Sequence, residues 1–339
     1  LVIVTPGAEV LARIVHFSFY YAVSGCAAIL IVLFMIRFVT GRTVFSIKAV
    51  SSAARKVAGG DYDVSLAVGT QDEVGELIHS FNTMVLQLED RARLKYSLNL
   101  AREVQQNLLP EKAVRFESLD VAGQSIYCDE TGGDYYDFLE FPEQGKGKFG
   151  VIVGDVSGHG ISAALFMATV RALIRSRMIQ SDDLSKIIID VNRLLCLDTT
   201  QSSNFMTLFF IMLDVAKNEV QWVRAGHDPA MLYDTATDEF VELDGEGISL
   251  GINEEWSFKE YSLNGLYDGQ VILIGTDGIW ETENEQGERY GKDRLREILR
   301  RNSRDSSEKI IQVITDSLVA FRRKAVQTDD VTMVVIKVR

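Results

Sequence analysis

The sequence predicts an α+β protein in two parts: a helical N-terminal third containing a membrane span, then an α-β-β-α sandwich. Three observations predict it. Phe17 to Ile36 is a run of 20 residues without a charge. Residues 47–88 carry apolar side chains at spacings of three and four, the signature of helices with a buried stripe. From residue 111 onward, short runs rich in Val, Ile, Phe and Tyr alternate with glycine- and aspartate-containing turns, and helical periodicity returns in two pairs.

Composition narrows the function classes. A chain of 339 residues exceeds one typical domain, and 47% hydrophobic content predicts that most of it folds. The formal net charge of −13 argues against a nucleic-acid partner, because neutralising phosphates needs a basic surface. Cys26, Cys128 and Cys196 show no paired spacing, which fits a reduced compartment rather than a disulfide framework. His16, His79, His159 and His227 are scattered, which disfavours zinc.

At 1.5 Å per residue the uncharged run spans about 30 Å, the thickness of a bilayer core. Phe17, Phe19, Tyr20 and Tyr21 gather at its start as an interfacial belt does. Arg37, Arg42 and Lys48 follow it against Arg13 before it, which puts the C-terminal side in the cytoplasm. The run is too long for an ordinary core helix, and no small-residue cleavage pattern follows it. Residues 13–39 are therefore expected to be a transmembrane helix. Residues 1–12 read as the last strand and exit of a truncated extracellular sensor, the chain starting at Leu1 rather than Met.

Next come two amphipathic helices. The first has Ile47, Val50, Ala54 and Val57 on one face and stops at Gly59-Gly60-Asp61. A connector over 62–68 alternates Val64, Leu66 and Val68. The second helix opens at Asp72-Glu73, where acids complement the helix dipole, and continues through Leu77, Phe81, Met84 and Leu88. This resembles the HAMP module, with Asp72-Glu73-Val74-Gly75 as its acidic-glycine signature, although Thr43 or Val44 stands where the family usually has proline. The resemblance covers 40–92 and implies a parallel homodimer that passes conformational signals inward. After Leu88 the stripe changes phase to Leu94, Leu98, Ala101 and then Val104 or Gln105. Such a shift alters coiled-coil winding, so 93–110 reads as a switch linker or as a helix turning toward the next domain. Leu108-Leu109-Pro110 ends it.

Over 111–339 strands are expected at 121–128, 135–141, 148–154, 206–214, 219–225, 230–234, 239–243, 256–263, 270–275 and 331–338. A turn around Gly145–Gly147 joins the second and third as a hairpin. Helices are expected at 161–179, 184–197, 292–300 and 307–322. Antiparallel strands with helices in two pairs fit the layered sandwich.

Acids beside small residues fall at the strand ends: Asp134 after Gly132-Gly133, Asp155 before a glycine turn, Asp277 in Thr276-Asp277-Gly278, and Asp329-Asp330 before the last strand. If they converge, each close pair repels by roughly 4 kcal/mol at 4 Å in a partly polar site. Convergence therefore calls for a cation, and all-oxygen ligation selects Mg²⁺ or Mn²⁺. Two such ions about 4 Å apart can share a hydroxide that attacks phosphorus in line.

The motifs Gly132-Gly133-Asp134-Tyr135-Tyr136-Asp137, Gly154-Asp155-Val156-Ser157-Gly158-His159-Gly160, Ala225-Gly226-His227, Thr276-Asp277-Gly278 and Asp329-Asp330-Val331-Thr332 occur together in order. They resemble the PPM (PP2C-like) serine/threonine phosphatases of the SpoIIE/RsbU type, and Arg102 to Pro110 looks like the approach helix of those enzymes. The resemblance implies a metal-dependent protein phosphatase over 111–339 with two Mn²⁺ or Mg²⁺ ions. By position, Asp155 corresponds to the acid that bridges both ions, and the Val156 carbonyl to the neighbouring main-chain ligand. Asp277 and Asp329 correspond to ligands of one ion; Asp134 serves the other, directly or through water. Asp329 is preferred to Asp330 as the first of its pair. The substrate implied is a bacterial regulatory phosphoprotein, an anti-sigma factor antagonist by family analogy.

Other groups are weaker candidates. The phosphate-binding arginine of animal-type members has no clear counterpart; Arg102 and Arg115 are the nearest. His159 can titrate near neutrality but reads more readily as packing or capping at the helix start, and His227 likewise as structural. Ser157 has no base placed for it and reads as a turn residue. Cys128 precedes two acids, which makes a poor thiolate. Gly132-Gly133-Asp134 also resembles the GGDEF signature of diguanylate cyclases, but Tyr135-Tyr136 follow. A degenerate domain acting as a non-catalytic relay is the other alternative.

Overall fold

The computed structural model describes residues 7–110, 113–141, 147–181, 183–199 and 204–339. The chain divides into two compact units, Leu1–Tyr96 and Ser97–Arg339.

In the first unit, helix α1 runs without a break over Gly7–Ala58. The apolar run and the first amphipathic helix are therefore one helix: no proline interrupts it, and the interior glycines Gly25 and Gly41 cost only about 1 kcal/mol each. The strand expected at 1–12 is corrected where it can be seen, since Gly7 onward is helical; residues 1–6 lie outside the described residues. The helix is long and apolar enough to cross a membrane, and its side chains from Leu11 through Gly41 are exposed. After the connector, helix α2 spans Glu73–Gln106. Asp72 caps it, its carboxylate accepting the N–H groups of Val74 and Gly75. Ala53, Val57, Phe81 and Val85 form a small core, against which Tyr62, Val64 and Leu66 of the connector pack. Asn82 fixes the connector by donating to the Leu66 carbonyl at 2.8 Å and accepting its N–H at 3.0 Å. Val68 departs from the expected alternation and is exposed.

In the second unit two antiparallel sheets face each other. Their strands, in chain order, are β1 (Ala113–Phe116), β2 (Leu119–Ile126), β3 (Tyr135–Glu140), β4 (Lys148–Val156), β5 (Met206–Asp214), β6 (Glu219–Ala225), β7 (Ala230–Asp234), β8 (Glu239–Leu243), β9 (Glu260–Asn264), β10 (Val271–Gly275) and β11 (Val331–Val338). One sheet has the order β1-β2-β11-β10-β7-β8 and the other β3-β4-β5-β6-β9. Helices α3 (Ile161–Met178) and α4 (Leu184–Thr199) share a core with the second sheet, and α5 (Lys292–Asn302) and α6 (Ser307–Arg322) with the first.

Period-two alternation builds these layers. Along β4, Phe149, Val151 and Val153 enter the core between the sheets, while Ile152 and Val156 face α3 and α4. Along β11, Val334, Ile336 and Val338 face the other sheet, and Val331, Met333 and Val335 face α5 and α6. Each fully buried side chain of this size contributes roughly 1.5–3 kcal/mol of transfer free energy.

Two expectations are corrected here. Strand β1 was not anticipated: four residues alternating exposed and half-buried give little pattern to read, and pairing with β2 creates the strand. The strand expected at 256–263 begins only at Glu260, because Trp256 closes a turn onto Asn253 and the Phe258 carbonyl accepts from Ser185 of α4. Of the turn around Gly145–Gly147, residues 145 and 146 lie outside the described residues; Gly147 has φ 101° and the hairpin β3–β4 is present.

Candidate metal centre

Antiparallel pairing places the end of one strand beside the start of the next. Tyr135 at the start of β3 pairs with Gly154 near the end of β4, and Gly275 at the end of β10 pairs with Met333 near the start of β11. Asp134 and Asp155 thus belong to one sheet, and Asp277 and Asp329 to the edge where the other sheet begins its last strand.

Hydrogen bonds join the two edges. Asp330 is buried; its carboxylate accepts the Cys128 N–H at 2.8 Å and the Gly133 N–H at 2.9 Å. The Thr276 hydroxyl donates to Asp134 at 2.9 Å and accepts the Thr332 N–H at 3.0 Å. Glycine is required at the join: a Cβ on Gly133 would stand 3.0 Å from the Val156 carbonyl oxygen, and one on Gly132 would strike the Asp330 carboxylate.

The acids grade from buried to open. Asp134 is 1% exposed, Asp155 is half-buried, and Asp277 and Asp329 are exposed. Burial first, then the charges of Asp155 and Asp330, raise the Asp134 carboxyl well above its ordinary range. Burial, then Asp277 and Asp329, push Asp155 up to about 7, against a hydrogen bond with Asp134 that lowers it. Partial desolvation of the carboxyl and then the Asp329 charge raise Asp277; partial desolvation raises Asp329 too, against the hydrogen bond from the Asp330 N–H, with the Asp330 charge adding to the rise. Burial together with neighbouring negative charge at the ends of separate strands makes these acids candidates for holding a cation.

Among the described residues, no group of three His, Cys, Asp or Glu side chains stands ready to hold an ion. A hard cation such as Mg²⁺ does not require one: it keeps several waters and is commonly held through one or two carboxylates. The exposed carboxylates of Asp277 and Asp329, half-buried Asp155 and the Val156 carbonyl facing Gly133 suit such a hydrated ion.

The remaining candidates separate clearly. Asp330 has both oxygens engaged by main chain, whereas Asp329 uses one, Oδ1, for the Asp330 N–H at 2.8 Å. His159 neither packs nor caps: its side chain is 69% exposed with Nδ1 2.6 Å from Asp129 Oδ2, and Gly160 takes the N-cap position. His227 is buried as expected, and burial pushes its pKa down to about 4. Ser157 pairs with Phe205 through its N–H and hydroxyl, holding the turn. Burial and then Asp330 push the Cys128 thiol up to about 12, so it is no thiolate. Arg115 is ruled out by place: it pairs with Asp120, which pairs with Lys337 at the far end of β11. Arg102 is exposed on α2.

Two contributors carried no readable signal. Thr276 lies in Thr276-Asp277-Gly278, where the acid alone reads as a ligand and nothing in the sequence points the hydroxyl at Asp134. Gln105 was one of two alternatives for a helix stripe; the structure buries it and exposes Val104.

Comparison with known proteins gives the following. Residues 145–339 match the SpoIIE family (Stage II sporulation protein E), and residues 38–90 match the HAMP domain. The chain is 28% identical over 244 residues to phosphoserine phosphatase RsbU of Bacillus subtilis (strain 168), covering 72% of this chain and 70% of RsbU. It is 24% identical over 322 residues to protein IcfG of Synechocystis sp., covering 84% of this chain but only half of IcfG. Over 74% of this chain its fold is similar to that of the SiaA-PP2C domain of Pseudomonas aeruginosa, 99% of which is covered, with a TM-score of 0.65 and 21% identity.

Proposed function

The chain belongs to the SpoIIE family, and from that premise we propose that it is a membrane-anchored, metal-dependent protein serine/threonine phosphatase. The observation that carries the proposal is the hydrogen-bonded joining of the strand ends that bear Asp134, Asp155, Asp277 and Asp329, where burial first and neighbouring carboxylates after it raise the pKa of each acid. The likeness to a phosphoserine phosphatase supports phosphoserine or phosphothreonine as the group removed.

Mn²⁺ or Mg²⁺ bound there, as two ions, would polarise the phosphoryl oxygens and lower the pKa of the attacking water. Asp155 would hold both ions with the Val156 carbonyl as the neighbouring main-chain ligand, Asp277 and Asp329 would hold one, and Asp134 would serve the other directly or through water. Thr276 orients Asp134 by its hydrogen bond. Asp330 serves as a brace, because main-chain N–H groups take both its oxygens. His159, which is exposed and paired with Asp129, is assigned the role of proton donor to the departing serine oxygen.

The substrate is a phosphorylated bacterial regulatory protein of the anti-sigma factor antagonist kind. The long apolar helix anchors the chain, with the phosphatase unit on the cytoplasmic side, and a HAMP homodimer relays an extracellular signal. Helix α2 supports this route, since one helix carries both HAMP-matched residues and Gln105. A non-catalytic relay is less well supported, because all four acids are present, each at or beside the end of a strand.

The test uses the full chain in detergent with a phosphoserine-bearing protein. Phosphate release should require Mn²⁺ or Mg²⁺, stop with chelator, and be lost in Asp155→Asn. Release that ignores chelator, or persists in Asp155→Asn, sinks the proposal. Pairing of α2 through a cysteine at Tyr96 should change the rate; an unchanged rate removes the relay.

A further inference from the structure

One imidazole ties the two sheets together beside the acids. His227 lies in the link that carries the chain from β6 of one sheet to β7 of the other, and it is 3% exposed. Its Nδ1 is 2.9 Å from the Thr207 hydroxyl and its Nε2 is 3.1 Å from the Gly275 carbonyl oxygen. A carbonyl oxygen only accepts, so Nε2 carries the proton. In the neutral ring Nδ1 is then an acceptor, and the Thr207 hydroxyl donates to it. Burial holds the ring neutral at ordinary pH, so both bonds keep that direction.

The partners of this ring matter. Thr207 stands directly opposite Asp155 in the β4–β5 ladder. Gly275 is the last residue of β10, two positions before Asp277. The ring therefore reaches from the neighbour of one candidate ligand to the strand end that presents another, across the gap between sheets. Its own main chain is held, because the Arg224 guanidinium donates to the His227 carbonyl and, at 2.7 Å, to that of Gly245. Asp155 and Asp277 repel each other, so strand ends left untied would tend to part.

We infer that His227 is a positioning residue of the metal centre, setting the separation between Asp155 and Asp277 through its bonds to Thr207 and Gly275. This rests on the metal-dependent reading above. Two ions shared by carboxylates from different sheets need that separation fixed. Outer-shell partners of this kind commonly change metal affinity by about 10–100-fold when replaced.

The experiment measures Mn²⁺ affinity of the full chain in detergent by calorimetry, beside the unfolding temperature in chelator. His227→Phe fills the space without either bond and should weaken Mn²⁺ binding about ten-fold or more. His227→Gln offers both a donor and an acceptor and should restore most of that loss. With p-nitrophenyl phosphate at fixed subsaturating Mn²⁺, kcat should fall in His227→Phe with KM little changed. Thr207→Val keeps the side-chain shape and removes one bond, so it carries the test should His227→Phe fail to fold; its affinity should also fall. A purely structural histidine would lower the unfolding temperature and leave Mn²⁺ affinity of the folded protein unchanged, and that result overturns the inference. Failure of the unaltered protein to bind Mn²⁺ overturns the metal reading and the inference with it; normal binding by every variant overturns the inference alone.

Discussion

The side-chain amide of Gln105 grips the main chain of Gly132 from both sides, donating to its carbonyl at 2.6 Å and accepting its N–H at 3.3 Å. Gly132 lies two residues before Asp134, and the next N–H, that of Gly133, is held by Asp330. The last turn of α2 is thus one hydrogen-bonded step from the buried acid of the centre. Gln105→Ala leaves two buried main-chain groups unpaired, each costing about 1–3 kcal/mol. Turnover should fall about ten-fold with a weaker Mn²⁺ requirement curve, read from phosphate release against Mn²⁺ concentration.

Asp155 makes the metal-free protein pH-sensitive in a stated direction. Its carboxyl is raised from 3.8 to about 7, so between those values the folded state holds a proton that the unfolded state releases. Stability from this group is present at low pH and is lost as pH rises through 7. In chelator the unfolding temperature should be higher at pH 5.5 than at pH 8, by roughly 3–6 °C from this group. Asp155→Asn should remove that difference, raise stability at pH 8, and abolish turnover. A variant that loses activity without gaining stability contradicts the electrostatic account.

The adjacent acids Asp329 and Asp330 should behave oppositely. Asp330→Ala strands the N–H groups of Cys128 and Gly133, a loss of about 2–4 kcal/mol seen as a lower midpoint in denaturant. Asp329→Asn keeps an oxygen for the Asp330 N–H and should leave the midpoint almost unchanged while Mn²⁺ affinity drops.

His159 is tested by leaving group. A serine alkoxide needs a proton as it departs, whereas p-nitrophenolate does not. His159→Gln should lower kcat on a phosphoserine protein by about 10²-fold and spare p-nitrophenyl phosphate. Equal losses on both substrates would remove His159 from the proton-donor role.

Much of this protein was legible in local pattern. Near-continuous apolar runs such as 206–214 and 331–338 coincide with β5 and β11, because a strand buried on both faces is apolar at most of its positions. The uncharged run and the stripe of α2 were equally direct. The strand-end acids could be proposed because carboxylates beside glycines are poor choices for strand stability alone.

Local pattern could not decide which atoms are free. Asp329 and Asp330 are identical in sequence terms, yet only folding brings the Cys128 and Gly133 N–H groups to Asp330 and fills its oxygens. Val104 and Gln105 were equivalent positions on a helix until the loop at Gly132 buried one amide. His227 was recognised as structural, but its two partners come from different sheets and lie 20 and 48 residues away in the chain. The sequence by itself determined the elements and the residue types available for chemistry, since both follow from side-chain character and short-range spacing. Tertiary structure alone decided which of those groups meet, because hydrogen-bond pairing and charge repulsion depend on distances that only the packed sheets set.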